Sequence, residues 1–181
     1  MAFQRGNEEA FVTLYRRYRD RIFNFARRLL GDVARAEEAA QDVFLKVYGA
    51  RKSYTVRSRF SSYIFRIARN HCFNIRARHE HKLVDRGREV ERHANGAASP
   101  EANVERQNEL EAVRIALATL PEKQAAAFIL AHYEGMSYRE IANALDVSEG
   151  ATKSLIHRAR DRLVHELGKS THREPEVIHA V

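Results

Sequence analysis

Apolar side chains in this chain recur at three-to-four spacing in blocks that end at glycine, and that pattern makes amphipathic helices the expectation. Between Asn7, a good N-cap, and Gly31, a good C-terminal stop, Phe11, Leu14, Tyr15, Tyr18, Ile22, Phe25, Ala26 and Leu29 form one broad stripe. Ala36, Ala39, Ala40, Val43, Phe44, Val47 and Tyr48 repeat the pattern before Gly49. Residues 50–58 read as a polar, basic loop. A third helix is predicted from about Arg59 to Arg78, with Phe60, Tyr63, Ile64, Ile67, Ala68, Cys72 and Ile75 on its buried side. Arg66, Arg69, Asn70, Asn74 and Arg76 fall mostly elsewhere on it. Aromatic stripes of this kind are far more often core than cofactor sites, so Phe11, Phe44 and Phe60 are read as core.

The periodicity lapses over 79–108, where Gly87 and the run Ala94-Asn95-Gly96-Ala97-Ala98-Ser99-Pro100 read as a linker. Helices resume over 109–168: Leu110, Val113, Leu117 and Leu120 share one face before Pro121, and Ala126, Ile129, Leu130 and Tyr133 share the next before Gly135. Ser137-Tyr138-Arg139-Glu140 has the form of a capping box, opening a short helix through Ile141, Ala142 and Leu145. Asp146-Val147 is a turn, and Ser148 can cap a last helix with Thr152, Ile156, Ala159 and Leu163 facing inward. The fold class is therefore all-α: two small helical domains, 1–78 and 109–168, joined by a flexible linker, with a helix-turn-helix in the second and a disordered tail at 169–181.

Charge separates the two domains. Residues 1–78 hold 17 Lys/Arg against 7 Asp/Glu, a net of +10, which exceeds the +7 of the whole chain. Residues 51–78 carry Arg51, Lys52, Arg57, Arg59, Arg66, Arg69, Arg76 and Arg78 with no acidic residue. Solvated helix faces usually mix signs, whereas one sign over such a stretch attracts a polyanion through phosphate contacts and counterion release. In the helix-turn-helix, the second helix enters the major groove while the first braces it, which leaves Lys153, Ser154, His157 and Arg158 projecting outward to bases and phosphates.

The run Met136-Ser137-Tyr138-Arg139-Glu140-Ile141-Ala142, then Val147-Ser148-Glu149-Gly150, Lys153-Ser154 and His157-Arg158-Ala159-Arg160, resembles region four of bacterial sigma factors. Arg5-Gly6-Asn7-Glu8-Glu9-Ala10-Phe11 and Ala36-Glu37-Glu38-Ala39-Ala40-Gln41-Asp42-Val43-Phe44-Leu45 resemble region two, so the likeness spans nearly all of residues 5–167. The lack of a middle domain is similar to the small extracytoplasmic-function type. The resemblance implies a sigma factor that binds core RNA polymerase and directs promoter-specific initiation, reading the upstream element as duplex and melting the downstream one. It places Lys153, Ser154, His157 and Arg158 on the upstream, minus-thirty-five element. Tyr54, Asn70 and Asn74 fall at base-reading positions of the downstream, minus-ten element, with Arg57, Arg66, Arg69 and Arg76 on its backbone. Glu38, Gln41, Asp42 and Leu45 form the docking face for the clamp helices of the polymerase's largest subunit; the flap of the second-largest subunit is a further contact. An anti-sigma protein is also implied.

Catalysis has little support, since the sequence has no Gly-rich phosphate loop, no His-Glu-x-x-His and no organised Ser/His/Asp set. His71-Cys72 and His79-Glu80-His81 read as surface histidines and a core thiol, because one cysteine without a second cluster falls short of four zinc ligands. No cofactor and no metal are expected. No apolar run approaches the roughly 18 residues of a membrane span, the start has no apolar signal-peptide core, and the single cysteine cannot form an internal disulfide. A reduced, cytoplasmic protein is expected. A stand-alone helix-turn-helix regulator with an N-terminal sensor or dimerisation domain is the alternative, but a sensor has no need of the one-sign stretch at 51–78. An RNA-binding helical protein would have no need of the helix-turn-helix.

Overall fold

The computed structural model describes residues 3–54, 58–85 and 111–171, and among them every regular element is helical. A short 3-10 turn, Phe3–Arg5, leads into α1, Glu8–Leu30. Asn7 accepts the Ala10 N–H at 2.8 Å to start α1, and Gly31, with φ 70°, ends it in the left-handed conformation that costs glycine nothing. Asp32 then caps α2, Val33–Gly49, through the Arg35 N–H. The first domain is completed by α3, Phe60–Asp85.

Its core is the predicted stripes brought together, with Phe65, which the predicted α3 stripe left out, buried among them. Ile22 and Phe25 from α1, Val43 and Val47 from α2, and Ile64, Phe65 and Ala68 from α3 are all essentially inaccessible. Phe25 meets Phe65 edge-to-face with ring centroids 5.3 Å apart. Phe3 is buried as well, stacked on Phe11 at 5.7 Å. Helix α3 runs seven residues past Arg78, where the apolar pattern lapses, because His79 to Asp85 contains no glycine or proline and a formed helix propagates at little cost. The expected linker from residue 86 to its end at 108, with residues 109–110, lies outside the described residues, as does the tail from 172.

In the second domain, residues 111–118 form α4, followed by α5, Glu122–His132, α6, Tyr138–Leu145, and α7, Glu149–Thr171. The expected inward set of α7, Thr152, Ile156, Ala159 and Leu163, is buried throughout against Ile129, Leu130, Ile141 and Leu145. Helix α6 also packs on α3, and α5 touches α1, so the buried apolar residues of both domains form one continuous cluster.

Candidate nucleic-acid interface

The helix-turn-helix is built by three local devices. The Ser137 hydroxyl accepts the Glu140 N–H while the Glu140 carboxylate accepts the Ser137 N–H at 3.0 Å, so the expected capping box is formed. Asp146 ends α6 with φ 55°, a left-handed position that aspartate tolerates better than most residues. Ser148 accepts the Ala151 N–H at 3.1 Å and starts α7. With Thr152, Ile156 and Ala159 fixed inward, Lys153, Ser154, His157 and Arg158 are all exposed on one outer face of α7. Arg160 and Arg162 add exposed cations farther round the helix.

The downstream set is less uniform. Arg66, Asn70 and Asn74 are exposed along α3, while Arg57 lies outside the described residues. Tyr54 is buried, its ring 4.4 Å from that of Tyr63 and 6.1 Å from that of Phe60. Burial raises the ordinary pKa of its hydroxyl, and no hydrogen-bond partner for that hydroxyl is present among the described residues. Arg69 differs from the expected outward placement: it is 9% exposed and donates from Nη1 to the Leu145 carbonyl at 2.8 Å. The helical wheel puts Arg69 off the α3 core stripe correctly, but the opposite side of the helix is covered by α6. Arg76 is half-buried, with Nε 3.7 Å from Glu122.

On α2, Glu38, Gln41, Asp42 and Leu45 form one exposed face, and Leu45 is 69% exposed. A large apolar side chain so open, beside a shallow groove lined by Tyr15, Phe23, Ala40, Gln41 and Phe44, suits a protein partner. Asp42 is held from behind. Its Oδ2 lies 3.1 Å from His71 Nε2, and Lys46 Nζ lies 2.6 Å from His71 Nδ1. A neutral imidazole that donates from Nε2 and accepts at Nδ1 satisfies both neighbours. Burial and the Lys46 ammonium lower the His71 pKa from its ordinary 6.5, against the opposing pull of Asp42. The folded chain then binds fewer protons than the unfolded one just below that value, so this stability is present above about pH 6.5 and is lost as pH falls through it. Urea unfolding between pH 8 and pH 5 is expected to show this loss in the wild type and a flatter profile in His71→Gln.

The contacts between the domains were not legible in the sequence. Glu140 accepts from Arg59 Nη1 at 3.2 Å and from the Ser61 hydroxyl at 3.3 Å, and Ser62 donates to the Glu140 carbonyl at 3.0 Å. Burial pushes the Glu140 carboxyl up, but the Ser137 hydrogen bonds and Arg59 outweigh it and hold the group below its ordinary range. Arg21 donates to Glu134 at 2.8 Å, and Arg28 covers the Tyr133 ring at 3.9 Å. One signal was available: Ser61-Ser62 puts two small polar residues beside the apolar stripe of α3, as close helix approach requires.

Comparison with known proteins adds relatives to this geometry. Residues 14–81 match the model of sigma-70 region 2, and residues 110–163 match that of sigma-70 region 4. The RNA polymerase sigma-H factor of Pseudomonas aeruginosa is 31% identical over 176 residues, covering 88% of this chain and 87% of that protein. The ECF RNA polymerase sigma-E factor of Escherichia coli is 30% identical over 177 residues, with the same coverage of 88% and 87%. Among solved structures, the sigma factor RpoE in complex with the anti-sigma factor NepR from Bartonella quintana is similar, with a TM-score of 0.74 and 25% identity over 88% of this chain and 98% of that one. CnrH, solved in complex with the cytosolic domain of CnrY, shares the fold at a TM-score of 0.70 and 23% identity, over 92% of this chain and 93% of that one.

Proposed function

Because this chain belongs to the sigma-70 family of RNA polymerase sigma factors, and within it to the extracytoplasmic-function type, we propose that α2 docks it on core polymerase, α7 reads the upstream promoter element as duplex and α3 traps the melted downstream strand. The observation that carries this reading is the pairing, in one chain, of an exposed recognition face, Lys153, Ser154, His157 and Arg158, with a basic helix bearing exposed Arg66, Asn70 and Asn74. The domains are assigned as 1–78 and 109–168, joined by 79–108, in the terms of regions two and four. Sigma factors are not normally enzymes, and the mechanism here is binding energy alone.

Docking fixes the separation of the two DNA-reading helices. Glu38, Gln41 and Asp42, with Leu45 at the centre, offer acidic and amide groups around an apolar anchor, which suits a partner helix of basic character such as the polymerase clamp. The flap of the second-largest subunit is the corresponding partner for the second domain. An unstacked base needs a polar edge to read and cations to hold its phosphates, and Asn70 and Asn74 beside Arg66 offer both. The solved relative bound to NepR supports an anti-sigma protein as a regulator of this chain. The cytoplasm is the proposed setting, as core polymerase and promoter DNA require; among the described residues no helix is long and apolar enough to cross a membrane.

Run-off transcription from a genomic promoter library, with core polymerase from the source bacterium, tests the proposal. Start sites that depend on this protein and share two spaced upstream motifs are expected. If instead no transcripts arise from a polymerase active with its housekeeping sigma factor, and the protein alone binds duplex DNA with high specificity, a stand-alone regulator becomes the better account. Asn70→Ala is expected to reduce strand opening about tenfold with duplex binding unchanged, measured by permanganate footprinting, as the loss of one charge-flanked hydrogen bond to a base predicts. Gln41→Ala is expected to weaken association with core polymerase instead.

A further inference from the structure

Asp42 and Lys46 stand four residues apart on α2 with the carboxylate on the N-terminal side, the spacing and order in which an acid and a lysine ordinarily pair along a helix. Here they do not pair with each other. Lys46 Nζ donates to His71 Nδ1 at 2.6 Å, and His71 Nε2 lies 3.1 Å from Asp42 Oδ2, so an imidazole from α3 is inserted between the two charges of α2. An ammonium can only donate, which makes Nδ1 the acceptor and puts the ring proton on Nε2, where it donates to the carboxylate. The sequence reads His71 as a surface histidine, yet packing of α3 on α2 leaves its side chain only 14% exposed, while that of Asp42 is 54% exposed. The ring is the fixed member, and the carboxylate is the one that faces out.

We propose that His71 is a positioning residue of the polymerase-docking face: it takes up the Lys46 ammonium and one oxygen of Asp42, and so presents the carboxylate, oriented and still charged, to a basic partner helix. The proposal rests on the reading of α2 as the docking face given above. A carboxylate contributes most to such an interface when it arrives already ordered and not neutralised, because ordering a loose side chain opposes binding and a cation of its own chain competes with those of the partner. The neutral ring meets the first need, fixing the carboxylate by a hydrogen bond without cancelling its charge. It meets the second by holding Lys46, whose ammonium would otherwise close on the acid four residues before it. Among the described residues only His71 meets the Asp42 carboxylate, at Oδ2, which leaves Oδ1 for the incoming helix. Burial and Lys46 lower the ring's pKa, with Arg78 acting the same way and Asp42 opposing, which keeps the ring neutral above its ordinary 6.5.

Association of the full chain with core polymerase, followed by fluorescence anisotropy at about pH 8, where the ring is neutral, tests this. His71→Leu removes both hydrogen bonds while keeping apolar bulk, and is expected to weaken association about tenfold. His71→Gln, whose amide can donate to Asp42 and accept from Lys46, should return it to within about threefold of the wild type. The deciding comparison is Lys46→Met against His71→Leu/Lys46→Met: with the competing ammonium gone, loss of the ring should cost no more than about threefold. A plain packing defect at His71 would not be relieved by a change at Lys46. A second readout needs no polymerase: the imidazole nitrogen resonances of His71, assigned by their absence in His71→Gln, should show the Nε2–H tautomer. Circular dichroism checks the fold of each variant, and the tautomer, read on the wild type, decides the case if His71→Leu does not fold. The proposal is overturned if folded His71→Leu binds as tightly as the wild type, if its deficit persists in full beside Lys46→Met, or if the ring proton sits on Nδ1. An Asp42→Asn chain that associates as the wild type does would instead count against the docking reading of Asp42, and the tautomer would still decide whether His71 divides Asp42 from Lys46.

Discussion

Phe25→Ala is expected to lower the unfolding free energy by about 3–5 kcal/mol, as large-to-small changes of buried aromatics do. Phe25 is 0% exposed, and its ring faces Phe65, also 0% exposed, edge-to-face, so removing it deletes apolar surface and strands a second aromatic beside the void. A domain of this size has about 5–15 kcal/mol in hand, so the loss is a large share. Urea denaturation followed by circular dichroism checks it. A shift below about 1 kcal/mol would mean that the α1–α3 core is not packed as described. Should the two domains unfold in separate transitions, only the first should move, because Phe25 and Phe65 both belong to the first domain.

The second large effect is on specificity. Arg158→Ala is expected to reduce discrimination at one position of the upstream element by about 1–3 kcal/mol, the range for a bidentate guanidinium-to-guanine contact. Residues 153, 154, 157 and 158 lie at the spacing that keeps four side chains on one helical face, and all four are exposed. Arg160 lies nearly opposite Arg158 on the helix wheel, and Arg160→Ala should weaken binding evenly across sequences while lowering the salt dependence. In vitro transcription from promoters varied base by base, at several salt concentrations, separates the two outcomes. An Arg158→Ala profile that falls uniformly would demote that residue to a backbone contact.

How much of this was legible follows from where each instruction lies. Caps and stops are local, so Asn7, Gly31, the Ser137–Glu140 box and the Asp146 turn could be read from neighbours in sequence and were found in place. The inward set of α7 was also legible, because a single helix period fixes it. Placement between domains was not. Whether Arg69 meets water or the Leu145 carbonyl depends on a helix 76 residues away, and periodicity within α3 carries no information about that neighbour. Tyr54 shows the same limit: an aromatic in a polar stretch reads as available for stacking, yet Phe60 and Tyr63 already enclose it.

Glu140 serves several groups at once: the Ser137 N–H and hydroxyl within its own helix start, Arg59 just ahead of α3 and Ser61 in its first turn. A residue with one partner can drift when that partner drifts. Aspartate, one methylene shorter, cannot both close the cap and reach across to Arg59, while glutamine keeps the reach and gives up the charge. Selection on this position therefore comes from architecture, whereas selection on Lys153, Ser154, His157 and Arg158 would come from the DNA they face. Descendants of this chain could be retargeted to new promoters by exchanging the outer face of α7 while Glu140, near the start of α6 and ahead of the turn at Asp146, stayed fixed.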